Sequence, residues 1–118
     1  MASRLADSAE VWRHKQAFAA VRAANPVLSR EISVGRTIRH DLGKLALILI
    51  VGDRIATAIH RKVAGHHNFR CAADLWEAAC DWECARITKP AKPLNGRQTW
   101  ERFYSALPMA GIFDEAGL

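Results

Sequence analysis

Cysteine is scarce in this chain and poorly placed for cross-linking, since Cys71, Cys80 and Cys84 are odd in number and crowd into one short stretch. That excludes the disulfide framework of a small secreted domain and predicts a reducing compartment. Long hydrophobic runs are missing too. The most apolar segment, Leu45 to Val51, is closely bounded by Lys44 and Asp53, whereas a membrane span requires roughly 20 residues. It reads as buried core, with no membrane partner expected. The amino terminus, Met-Ala-Ser-Arg-Leu-Ala-Asp, lacks the apolar stretch of a signal peptide, so a cytoplasmic location is expected. There is no sustained apolar–polar alternation of the kind that marks half-buried strands, no internal repeat and no low-complexity tract.

What is present suits one packed domain over 1–118. Hydrophobic residues are 50% and charged residues 25% of 118 positions, far from the polar signature of disorder and too short for two cores. The net charge of +5 favours a phosphate-bearing or otherwise anionic partner, with nucleic acid as a less favoured case, although solubility alone would also account for it.

Apolar spacings of three and four predict an all-α fold, a compact bundle of about five helices. The first opens at Asp7, with Glu10 completing a capping box, buries Val11, His14, Phe18 and Val21, and ends before Asn25-Pro26. A second runs from Pro26 to His40-Asp41, with Gly43 as its left-handed terminator. Lys44 to Ala64 reads as a long central helix, kinked at Gly52. Gly65-His66-His67-Asn68 is a loop, Cys71 to Ile87 a helix, and Lys89 to Gly96, with two prolines, an exposed connection. A last helix presents Trp100, Phe103, Tyr104 and Leu107 to the core and stops at Pro108, leaving 1–6 and 108–118 as tails.

His40-Asp41-Leu42-Gly43-Lys44 is the most informative pentapeptide. An imidazole beside a carboxylate offers two metal ligands, and the lysine offers a cation for phosphate. His14 lies upstream on a buried stripe, and His60, His66, His67 and Asp81 follow, giving the order H, HD, H, HH, D. Simpler readings exist for each. His14 suits a core histidine, His40-Asp41 a helix end, His60 and His66-His67 solvated positions, and Asp81 a surface pair with Arg86 or Arg70. Cys80 and Cys84, one helical turn apart, form with His66 and His67 a rival zinc constellation. Trp12, Trp76, Trp82 and Trp100 read as helix-packing residues, not a base-stacking platform.

The order H, HD, H, HH, D on a helical background resembles the HD superfamily of metal-dependent phosphohydrolases. It is more similar still to a family of small phage and prophage proteins of unknown function that carry His-Lys, His-Asp-Leu-Ser-Lys, His-His and Asp-Trp. Here the corresponding residues are His14-Lys15, His40 to Lys44, His66-His67 and Asp81-Trp82, with Gly43 in place of the usual serine.

The resemblance implies an HD-like bundle in which His14, His40, Asp41 and Asp81 hold one metal, and His60, His66 and His67 help to hold a second bridged by Asp41. The implied activity is hydrolysis of a phosphomonoester or phosphoanhydride by metal-bound hydroxide. The substrate would be a small phosphorylated metabolite, above all a nucleotide, in bacterial or phage-infected host cytoplasm. Asp41 and Lys44 would be catalytic, and Lys44, Arg39, Arg61 and Arg70 would meet the phosphate, with Arg36 and Lys62 as further candidates. The mixed nitrogen and oxygen ligands suit one or two ions of Mn, Fe, Co, Ni or Zn. The small size leaves room for a homodimer to complete the pocket. The competing expectation is a non-catalytic phage-type accessory protein that binds nucleic acid or a host protein through its basic helical surface.

Overall fold

The segment 72–88 alternates small residues with two tryptophans and four carboxylates, and it buries nearly all of them: Asp74, Trp76, Glu77, Ala78, Ala79, Cys80, Trp82, Glu83 and Cys84. In the computed structural model, which describes residues 4–89, 91 and 93–118, this helix is the axis around which the rest is arranged. In chain order the helices are α1 (Arg4–Ala24), α2 (Pro26–Glu31), α3 (Val34–Arg39), α4 (Leu42–Val51), α5 (Asp53–Val63), α6 (Ala72–Thr88), α7 (Gly96–Phe103) and α8 (Ala110–Ala116), with a 3-10 turn over Gly65–His67 before α6. The protein is all-α among the described residues, and none of these helices is long and apolar enough to cross a membrane.

The central position belongs to α6, not to the 44–64 segment. Its small side chains admit α1 on one side, and α2, α7, α8 and the 3-10 turn on others. Gly96 shows how close the approach is, because a Cβ there would lie 3.1 Å from both the Ala79 carbonyl oxygen and the Phe113 ring. Its N–H instead donates to buried Glu83 at 2.8 Å.

Two expected helices are broken. The 26–40 segment divides at Ile32-Ser33, where Ser33 Oγ accepts from the Arg36 N–H and restarts the helix as α3. The Ile32 carbonyl, released from the ladder, accepts from Arg22 Nε at 2.9 Å. The 44–64 segment divides at Gly52, whose φ of 85° and ψ of 165° amount to a full interruption. The left-handed residue after α3 is Asp41, with φ of 56°, and Gly43 is helical within α4.

Helix α1 already includes Arg4, so Asp7 lies in its first turn, not at the cap. Residues 1–3, Pro90 and Lys92, which fall in the expected amino-terminal tail and the 89–96 connection, lie outside the described residues. Residues 108–118 are not a tail. Met109 and Phe113 are fully buried, and Asn25 Nδ2 donates to the Ala116 carbonyl at 2.9 Å.

Candidate metal centre

Helices α1, α5 and α6, the junction of α3 with α4, and the 3-10 turn that carries His66 and His67 deliver the site. His14 comes from the buried stripe of α1, His40 and Asp41 from the sharp junction of α3 and α4, His60 from the last turn of α5, and Asp81 from α6. The junction is fixed by Lys15, whose ammonium donates to the carbonyls of Thr37 at 2.8 Å, Ile38, and His40 at 3.4 Å, closing the end of α3. The neighbours His14 and Lys15 thus set the His-Asp pair against α1.

His14 Nε2 lies 2.7 Å and His40 Nε2 3.0 Å from Asp81 Oδ1, and both nitrogens lie 3.6 Å from Asp41 Oδ2. On the other side of the same carboxylate, His60 Nε2 and His66 Nε2 approach Asp41 Oδ1 at 2.9 and 3.3 Å and lie 3.3 Å from each other. His67 completes this second group, its ring centroid 4.2 Å from that of His66.

One ligand atom per residue can be chosen so that those of His14, His40, Asp41 and Asp81, and likewise those of His60, His66 and His67, lie within 4.8 Å of one another. Donors on a common ion at about 2.1 Å sit roughly 3.0–3.4 Å apart, so these spacings already approach a coordination sphere. Asp41 Oδ1 carries a second sign, being buried with no hydrogen-bond partner although two imidazole nitrogens stand within reach. A buried carboxylate oxygen left short of hydrogen-bond partners among imidazoles suits a site that a cation would complete. The buried His, Asp and Glu groups can hold a metal ion.

Glu77 is the site residue that sequence reasoning missed. Its Oε2 accepts from His40 Nδ1 at 3.1 Å and from His66 Nδ1 at 2.5 Å, leaving both Nε2 atoms turned toward Asp41. The available signal was its position four residues before Asp81, on the same helical face. Arg36 Nη1 bonds Asp74 at 2.8 Å and Glu77 Oε1 at 3.3 Å, which anchors this shell. Phe18 stacks on the His40 ring at 3.9 Å.

The electrostatics follow from this geometry. Burial would depress the His40 and His66 pKa values, but hydrogen bonds to Asp81 and Glu77 raise His40 to about 9, and the close Asp41 carboxylate together with Glu77 raises His66 to about 10. Burial would raise the carboxyl pKa values. The adjoining histidines overcome it, bringing Glu77 down to about 2 and holding Asp41 and Asp81 well below the usual carboxylate range. His67 is pushed down to about 4 by burial and by the charge on His66.

The site opens into a cavity of about 760 Å³ lined by His14, Asp41, His60, His67 and Asp81. The cations on its wall are Lys44, Arg61, Lys89 and Arg102. Arg39 is exposed on α3 and donates to the Gly35 carbonyl, Arg70 is exposed before α6, and Arg36 is committed to Asp74 and Glu77, so none of these three lines the cavity. Lys62 is likewise exposed outside it. Asp81 faces histidines instead of Arg86 or Arg70.

The cysteines do not form the rival zinc site with His66 and His67. Cys80 Sγ faces the Phe18 carbonyl at 3.6 Å, Cys84 Sγ lies 3.8 Å from His14 Nδ1, and burial pushes both thiols up. Cys71 stands at the N-terminal boundary of α6, where its side chain makes no capping hydrogen bond, and is exposed. Trp76 and Trp82 are buried and Trp100 donates to the Leu107 carbonyl, but Trp12 is half exposed and does not serve packing as expected.

No family model, no curated protein and no solved structure matches this chain. The functional reading therefore rests on the geometry of the site.

Proposed function

We propose that the protein is a metal-dependent phosphohydrolase of HD type acting on a small phosphorylated metabolite, in first place a nucleotide. The observation that carries the reading is the division of Asp41 between two donor groups, Oδ2 toward His14, His40 and Asp81, and Oδ1 toward His60 and His66. Such a carboxylate suits a pair of divalent transition ions, with His67 completing the second set.

Bound there, the metal supplies a water acidic enough to act near neutral pH and a Lewis acid for the phosphoryl oxygen. The protein supplies the rest. Buried Asp41 and partly buried Asp81 provide negative charge, and Glu77 orients two of the imidazoles. Lys44, half-buried on the first turn of α4 and facing the cavity beside Asp41, neutralises charge that builds on the phosphoryl group. Arg61, Lys89 and Arg102 meet the remaining anionic oxygens, and Phe103, Tyr104 and Trp82 offer apolar surface for the organic part of the substrate.

The test is elemental analysis of protein purified without chelator, comparing wild type with Asp41→Ala, followed by phosphate release from a nucleotide panel. Stoichiometric metal and phosphate release in the wild type, both lost in Asp41→Ala, are expected. No metal and no release after reconstitution would overturn the reading and leave a binding protein in its place.

A further inference from the structure

Helix α4 is more apolar than its packing within the chain requires. On its inner side Ile48 is buried with Val11 and Ala56. On the opposite side Leu42, Ala46, Leu49 and Ile50 share one exposed stripe at i, i+4, i+7 and i+8, with Ile50 70% and Leu49 50% exposed. No charged residue interrupts the helix from Leu45 to Val51.

Helix α5, packed beside α4, adds a second exposed ridge of Ile55, Ile59 and Val63 at four-residue spacing. The largest apolar patch of a typical monomeric protein covers about 300–600 Å² and often marks an interaction site. The two ridges together present on the order of 600 Å² per copy, near the roughly 800 Å² per partner of a standard stable interface.

We propose that this face pairs with the same face of a second copy, α4 against α4 in antiparallel sense about a two-fold axis at Ala46. The stripe is symmetric about that residue, because Leu42 lies four positions before it and Ile50 four after. A two-fold axis there sets Leu42 against the partner's Ile50 and Leu49 over the partner's Gly43, the self-complementarity an isologous contact needs. Ala46 and Gly43 are small enough to let the helices approach closely. The side chains of the stripe itself carry no charge or hydrogen-bonding group for a nucleic acid or a polar protein surface, and the adjoining Arg4 is engaged with the Leu49 and Ile50 carbonyls, whereas apolar composition is usual in homodimer interfaces. The inference does not depend on metal chemistry, although the paired helix is the one that Asp41 begins.

Sedimentation equilibrium of the full chain tests it. The wild type is expected at twice the single-chain mass at about 1–100 µM, and Ile50→Glu and Leu49→Glu at the single-chain mass with unchanged helical circular dichroism. Ala46→Cys in a Cys71→Ser background should cross-link to itself under mild oxidation, while Ser105→Cys in the same background should not. A wild type at single-chain mass throughout this range overturns the proposal, as does persistence of the double mass in both glutamate variants. A single-chain wild type that co-sediments with anionic lipid vesicles would assign the face to a membrane surface and overturn it equally.

Discussion

Asp41 holds a left-handed backbone at φ 56° while buried among four histidines, a conformation that asparagine and glycine accept and most residues resist. Asp41→Asn should therefore keep the helical fold, at a cost in stability from the lost charge among the histidines, yet fail to retain metal, which circular dichroism and elemental analysis on one preparation would separate. Glu77→Gln should keep the fold and lower metal affinity about 10–100-fold, read by chelator competition, because the hydrogen bonds that orient His40 and His66 lose their charge.

A pH effect follows from the same groups. His40 and His66 have folded pKa values of about 9 and 10, above the free value of 6.5, so in metal-free protein their stabilisation is full below about pH 6.5 and is lost as pH rises through 9–10. Glu77, lowered from 4.5 to about 2, contributes above its free value and loses that contribution as pH falls toward 2. With chelator present, the melting temperature should be highest near pH 5–6.5 and fall toward pH 9. Bound metal should reverse the upper trend, because its ligands must shed those protons.

The ligand types themselves were legible in the sequence, as histidines and aspartates in a suggestive order. Glu77 was not, because acidic residues on helices usually face water and only packing reveals this one as buried.

At the scale of elements, the helical class was legible from spacing while the breaks were not. Ile32-Ser33 lies within a periodic apolar pattern, and the break there depends on Arg22 taking the Ile32 carbonyl from another helix. Gly52 was visible as a weak point, but its φ of 85° and ψ of 165° belong to a region that only glycine enters cheaply. A Cβ at Gly52 would meet nothing nearer than Arg4 Nε at 3.8 Å, so Gly52→Ala tests strain without a clash. It should cost about 1–3 kcal/mol in urea denaturation and, by shifting α4 against α5, weaken metal binding at Asp41 and His60 together. The position of Asp41 also depends on Lys15, whose role as the cap of α3 no spacing rule could show because donor and acceptors are more than twenty residues apart.

For the molecule as a whole, the chief surprise is which phenylalanine belongs to the core. Helical periodicity puts Phe103 on the buried face of the last helix and leaves Phe113 in a tail, since Pro108 interrupts the pattern and α8 is too short to declare itself. The packing reverses both assignments. Phe103 is 66% exposed on the cavity wall, and Phe113 is fully buried with Met109, Ala78 and Ala79 beneath the Trp100 ring. Neighbouring contacts depend on Phe113 being in place, since Gly96 approaches its ring and Arg97 joins Asp114 and the Leu118 carbonyl. Phe113→Ala should therefore cost about 3–5 kcal/mol, a large part of the stability of a domain this size. Phe103→Ala should stay within about 0.5 kcal/mol because its ring has little core contact to lose. Chemical denaturation of the two variants side by side would read the difference, and equal costs would mean that α8 does not close the core.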